Sequence, residues 1–151
     1  NRLLLERALP IPRDAIMHDW WLALVAAATG SIEFIDRPLI KYRQHQSNAV
    51  GATGFWHMLN PLGGWLGRWR KGNREFRSTF SQASALLIHA ESAPEGWSKD
   101  VLEILKSYSS LLQMPIWKRM YEATGMGLRR GSLIFKFPYY IRLLTIRNGE
   151  R

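Results

Sequence analysis

The chain of 151 residues contains no cysteine. That excludes a disulfide framework, a Cys-ligated zinc and a thiol nucleophile, and it fits a reducing cytoplasm. No apolar run approaches the roughly 20 residues that a membrane-spanning helix needs. The longest run, Trp20 to Thr29, is about half that and suits a buried helix. Phosphate-binding signatures are also missing: there is no Walker A loop, no Rossmann glycine fingerprint and no Gly-x-Ser-x-Gly elbow. Gly63-Gly64-Trp65-Leu66-Gly67 mimics a phosphate loop but lacks the lysine and the preceding strand, so it reads as a loop or a broken helix. No Asp-x-Asp, no internal repeat and no low-complexity run occurs.

What is present is apolar, aromatic and basic. Hydrophobic residues make up 46% of the chain, enough for one domain, or one small domain with an appendage. Seven Trp, five Tyr and six Phe suit cores and sugar-binding surfaces equally. The net charge of +9 is uneven. Residues 1–66 hold six Lys/Arg against five Asp/Glu, whereas residues 67–151 hold fifteen against seven. The excess in the second half implies an anionic partner or a well-solvated helical surface.

Periodicity divides the chain. Asn1-Arg2-Leu3-Leu4-Leu5 reads as the interior of a helix without a cap, running to Leu9 before Pro10-Ile11-Pro12. Asp19 to Thr29 reads as a helix apolar on every face, hence sandwiched, with an acidic first turn and Gly30 as its stop. Ser31 to Ile35 and Leu39 to Gln44 read as strands joined by the turn Asp36-Arg37-Pro38. Helices are expected over Arg74–Ser92, over Lys99–Gln113 behind the cap Ser98, over Ile116–Ala123 behind Pro115, and from Pro138 to about Arg147. The fold class expected is mainly α with a small β component.

The chemistry concentrates in two stretches, His18-Asp19-Trp20-Trp21 and Tyr42-Arg43-Gln44-His45-Gln46-Ser47-Asn48. Asp19 is the candidate catalytic carboxylate, able to deprotonate a hydroxyl within hydrogen-bond reach; the plainer reading is an ordinary first-turn aspartate. Trp20 and Trp21 are about 100° apart on a helix and cannot share a face; either one packs in the core and the other lines an acceptor pocket, or both pack in the core. His18 is either an acceptor contact or a structural histidine. Arg43 can grip a diphosphate in a forked contact, and His45 is a candidate ligand for magnesium or manganese, completed by carboxylates from elsewhere. The basic, aromatic segment 128–147 suits either an interfacial membrane anchor or a packed terminal helix.

Taken in order and spacing, Ala8-Leu9-Pro10-Ile11-Pro12, Met17-His18-Asp19-Trp20-Trp21-Leu22-Ala23-Leu24 and Pro38-Leu39-Ile40-Lys41-Tyr42-Arg43-Gln44-His45-Gln46-Ser47-Asn48 resemble the acceptor-side part of bacterial family-two glycosyltransferases of the rhamnosyltransferase kind. The resemblance covers about a third of the chain. It implies that residues 1–51 finish a GT-A catalytic domain and that residues 52–151 form a basic helical tail. It implies transfer of a sugar, rhamnose by analogy, from a nucleotide-diphosphate donor to a lipid-linked glycan. Asp19 would be the base, His18, Trp20, Trp21 and Arg43 would contact substrate, and His45 would stand by a divalent metal. The implied setting is the cytoplasmic face of the plasma membrane. His18 departs from the glutamate commoner in the family at that position. The family's nucleotide-binding half has no counterpart here, so this chain alone is expected to be inactive and to bind no metal. The alternative is a non-catalytic basic module that binds an anionic membrane surface, with nucleic acid as its less favoured partner.

Overall fold

The computed structural model describes residues 1–41, 65–126 and 133–146, and the backbone alone of residues 65, 66, 68 and 133–138. Helix α1 spans Arg2–Ala8, and Asn1 is its cap: the Asn1 side chain accepts from the Leu4 N–H at 2.9 Å. The expectation of an uncapped helix interior is thereby corrected, since asparagine ranks among the best N-caps. Leu9 is extended ahead of Pro10 and ends the helix. Helix α2 spans His18–Thr29 and ends at Gly30. Helix α3 (Trp65–Ser92) is the longest, at 28 residues or about 42 Å. Helix α4 (Lys99–Ser110) starts on Ser98, whose hydroxyl accepts from the Val101 N–H at 3.3 Å. A 3-10 turn, Leu111–Gln113, leads to Pro115 and helix α5 (Ile116–Gly125). Helix α6 spans Leu133–Thr145.

Mainly helical architecture is therefore what forms, and among the described residues there is no strand. Residues 31–35 were expected to pair with residues 39–44. Instead residues 31–41 run unpaired, with a tight turn in which the Arg37 N–H donates to Ile35 O at 2.8 Å. A strand pattern specifies a half-buried surface and not its partner, and the alternating residues here stay in solvent. Phe34 is 87% exposed and Ile40 83%. The GT-A α/β framework implied by the resemblance thus has no sheet among the described residues. The part of the second expected strand beyond Lys41 lies outside them.

Two helix boundaries also differ from expectation. Helix α3 already includes Trp65 to Gly67, which the glycines had marked as a loop. Helix α6 begins at Leu133, ahead of Pro138, rather than on it. A proline this far into a helix gives up one backbone hydrogen bond. The burial of Tyr139, Leu143 and Ile146 downstream offsets that loss.

Helix α3 serves as a spine for two apolar clusters. Toward its C-terminal end, Ala85 and Leu86 pack with Ala8 of α1 and with Trp21 and Val25 of α2, and Leu105 of α4 packs against them. Toward its N-terminal end, Phe76 and Phe80 pack with Leu111, Ala123, Tyr139, Leu143 and Ile146. The rings there meet in preferred geometries: Phe76 is edge-on to both Phe80 and Tyr139, and Phe80 stacks on Tyr108 at 4.7 Å. Phe76, Phe80, Ala83, Leu86 and Ala90 of α3 are buried, and Leu87 is half-buried. Polar ties cross between the N-terminal helices and α3. The Ile16 N–H donates to Gln82 Oε1 at 2.9 Å, and His89 Nε2 meets the Arg7 carbonyl at 2.6 Å. The Arg7 guanidinium donates to Thr29 O at 3.0 Å and lies over Gly96, whose φ of 87° is in the left-handed region.

The second cluster is closed by a buried arginine. Arg119 is only 3% exposed. Its guanidinium donates to five backbone carbonyls: Leu111, Leu112 and Met114 around the 3-10 turn, and Leu143 and Ile146 at the end of α6, at 2.7–3.3 Å. Leu111 O also accepts from the Met114 N–H at 3.2 Å, and the other four are carbonyls near helix ends. Burial lowers the Arg119 pKa, with the charge of Arg77 acting in the same direction. The hydrogen bonds offset that desolvation. Helix α6 is seated further by Arg142, which lies over the Trp69 ring at 5.2 Å and crosses Gly72 so closely that a Cβ there would collide with its guanidinium.

Candidate functional site

The first turn of α2 presents His18, Asp19 and Trp20 to solvent, while Trp21 turns inward. The cause is the helical rotation between neighbours. Trp21 is 0% exposed, donates its indole N–H to Ala8 O at 2.9 Å and meets His89 edge-on at 5.3 Å. Every polar need of that ring is met inside, so it has no face left for a ligand. Trp20 is 51% exposed and keeps an open ring face.

The Asp19 carboxylate is exposed, and its Oδ1 accepts from the Trp20 N–H at 2.9 Å. That bond orients the carboxylate at the start of the helix. Met17 occupies the cap position and provides no side-chain acceptor. The apolar sandwich expected for α2 is half realised. Trp21 and Val25 are buried, whereas Ala23, Leu24 and Ala27 line a groove.

The groove is a cavity of about 570 Å³ between α2, α3 and α4. Trp20 and Leu24 form one wall, Ala83 and Leu86 the floor, and Ile104 and Tyr108 the other wall. Both hydroxyls in its lining and the Gln82 carbonyl oxygen are engaged. Thr79 Oγ1 lies 3.0 Å from the Tyr108 hydroxyl and donates to Phe76 O at 2.7 Å, and Gln82 Oε1 holds the Ile16 N–H. A second pocket of about 370 Å³ adjoins it, lined mostly by apolar surface, Met17 and Phe76 included, with Glu75, Ser78 and Arg142 at its edge. Ile16, Trp20 and Thr79 border both cavities, so Trp20 stands at their junction.

Arg43 and His45 lie outside the described residues. Among the described residues no group of three His, Asp or Glu side chains is arranged to hold a metal. His89 is engaged with Arg7 and Trp21. In the basic tail, Tyr139, Leu143 and Ile146 are core residues, and Arg142 packs on α3; Arg129, Arg130 and Arg147 lie outside the described residues. No helix among the described residues is long and apolar enough to cross a membrane.

Neither a family model, nor a curated protein, nor a solved structure matches this chain. Sequence reasoning missed the groove, whose walls come from three helices far apart in the chain. Only the pair of adjacent tryptophans signalled that one ring can stay outside.

Proposed function

We propose that this chain is the acceptor-side portion of an inverting glycosyltransferase of the GT-A, family-two kind, with Asp19 as general base. One observation carries the reading: an exposed, oriented carboxylate at a helix start stands next to an exposed indole that borders two cavities. In the proposed step Asp19 takes the proton of an acceptor hydroxyl as its oxygen attacks the anomeric carbon of the donor sugar. The bond to the nucleotide diphosphate breaks on the opposite face, and the configuration inverts. The sugar, rhamnose by analogy, goes to a lipid-linked glycan on the inner face of the plasma membrane. Trp20 supplies the apolar platform for the acceptor ring, with His18 beside it on the same exposed turn.

The unpaired segment 31–41, with its strand alternation and exposed apolar side chains, is consistent with a strand whose partners belong to the rest of such an enzyme. The described residues do not by themselves make a cation site, so no step is routed through a metal. The test is a Trp20→Ala variant of the enzyme that contains this segment. The acceptor KM should rise about tenfold while the donor KM stays within twofold. A donor KM that rises equally would remove Trp20 from the acceptor side.

A second reading rests on α3, where Arg70, Lys71 and Arg74 are exposed near the start of the helix and Glu75 is the nearby counter-charge, 3.8 Å from Lys71. On that reading the chain is a basic module seated on an anionic membrane, with segment 128–147 contributing. Sedimentation with anionic vesicles, weakened by salt, supports it. Equal recovery with neutral vesicles rejects it.

A further inference from the structure

The first turn of α2 has no side-chain cap. Met17 stands at the cap position with an extended backbone, φ −148° and ψ 147°, and offers no acceptor. The connector ahead of it is held within itself by the Ala15 N–H, which donates to Pro12 O at 3.1 Å. Its tie to α3 is of another kind: the Ile16 N–H donates to Gln82 Oε1 at 2.9 Å, across 66 positions of the chain. Gln82 is only 4% exposed and lines the groove beside Ala83, Leu86 and Leu105. A carboxamide in such surroundings costs free energy unless it is hydrogen-bonded. An apolar side chain of the same size would avoid that cost. What Gln82 provides instead is a fixed acceptor for one backbone N–H, and buried polar contacts of this kind specify geometry.

The geometry at stake is that of the exposed turn. Ile16 lies three residues before Asp19. Two residues beyond Asp19, the Trp21 indole is locked by its bond to Ala8 O at 2.9 Å and by the edge of His89. His18, Asp19 and Trp20 are exposed between these two anchors. An exposed turn without a cap takes its direction from the points where its ends are pinned. The bond from the Trp20 N–H to Asp19 Oδ1 passes that direction to the carboxylate.

We infer that Gln82 is a positioning residue for Asp19: by holding the Ile16 N–H it fixes where the first turn of α2 begins, and so where the carboxylate points. The inference rests on the reading of Asp19 as general base. Misplacing a reacting group by about 1 Å can cost about 10²-fold in rate. The loss belongs in kcat and not in donor binding, because Gln82 is placed to act on the base.

The experiment compares the parent with Gln82→Met, which keeps the volume and removes the acceptor. In this chain, amide exchange followed by NMR should be at least about tenfold faster at Ile16 in the variant. In the enzyme that contains this segment, assayed well below the melting midpoint, kcat should fall at least about tenfold while the donor KM stays within about twofold. A role in stability alone would leave kcat where it is. In an Asp19→Asn background the same substitution should cost less than about threefold, because the carboxylate it positions is gone. If Gln82→Met fails to melt cooperatively, Gln82→Asn, which draws the oxygen back by one methylene, takes its place. Parental exchange at Ile16, parental kcat, or an equal loss in the Asp19→Asn background would each overturn the assignment. Near-parental turnover of Asp19→Asn by itself would overturn it from the other side, by removing the base, and that variant alone tells this failure apart from the other three.

Discussion

Arg119→Met removes a side chain that hydrogen-bonds both the 3-10 turn and the end of α6, and its cost can be worked out from the bonds it makes. The contacts to Leu111 O, Leu143 O and Ile146 O are buried, and those to Leu112 O and Met114 O partly so. A buried acceptor left without a donor costs about 1–3 kcal/mol. Leu111 O keeps the Met114 N–H as a donor, so two acceptors, Leu143 O and Ile146 O, are left bare at roughly 2–6 kcal/mol, and two effects reduce the sum. The charge no longer has to be desolvated, and water enters beside the exposed ends of the turn. A net loss of about 2–4 kcal/mol is expected. For a chain of this length each kcal/mol corresponds to about 2–4 °C, so the Tm should fall by about 4–16 °C. Arg119→Lys should fall in between, because an ammonium has three donors and no fork. Lys118→Ala, at an exposed neighbouring position, should change stability by less than about 0.5 kcal/mol. Urea titration followed by circular dichroism measures all three. An Arg119→Met variant within about 1 kcal/mol of the parent, with an unchanged slope, would refute the clamp.

The neighbouring tryptophans should separate cleanly in the same urea assay: Trp21→Ala should lose about 3–5 kcal/mol as a fully buried ring, and Trp20→Ala less than about 1 kcal/mol. Similar losses for both would mean that Trp20 is packed rather than presented. In the enzyme containing this segment, His45→Ala should raise the divalent metal concentration needed for half activity, and an unchanged metal titration would leave His45 structural. The 151-residue chain alone should transfer no sugar from any nucleotide donor, since it contains no Asp-x-Asp motif; turnover in a radiolabelled-sugar assay would contradict that.

Local signals in the sequence served well where the cause is local. Ser98, Pro115 and Gly30 mark helix ends because caps and stops depend on one or two residues. Asn1 carries the same kind of signal, masked by the leucines behind it. The segment 31–35 has a genuine strand pattern, yet pairing requires a partner from elsewhere, and alternation alone cannot provide one. Helix α6 starts ahead of Pro138, where proline alone marks a beginning, because the core that Tyr139 and Leu143 enter offsets the hydrogen bond the proline forgoes. Arg119 was invisible for a different reason. Its partners are backbone carbonyls, which leave no trace in residue types. In the candidate site, the sequence pointed to an exposed first turn and to a division of labour between Trp20 and Trp21. It did not indicate the groove, whose walls come from three helices and close only when α2 is placed across Ala83, Leu86 and Ile104.

The central claim is that Asp19 removes a proton from an acceptor hydroxyl. The most direct measurement is the turnover of an Asp19→Asn variant of the intact enzyme under saturating donor, compared with its donor affinity. Asparagine keeps the size of the side chain and an oxygen for the Trp20 N–H but cannot take up the proton. The account predicts that kcat falls by about 10²–10⁴, the usual contribution of a general base, while the donor Kd changes less than about twofold. Near-normal turnover in the variant would contradict it and place the base on another residue.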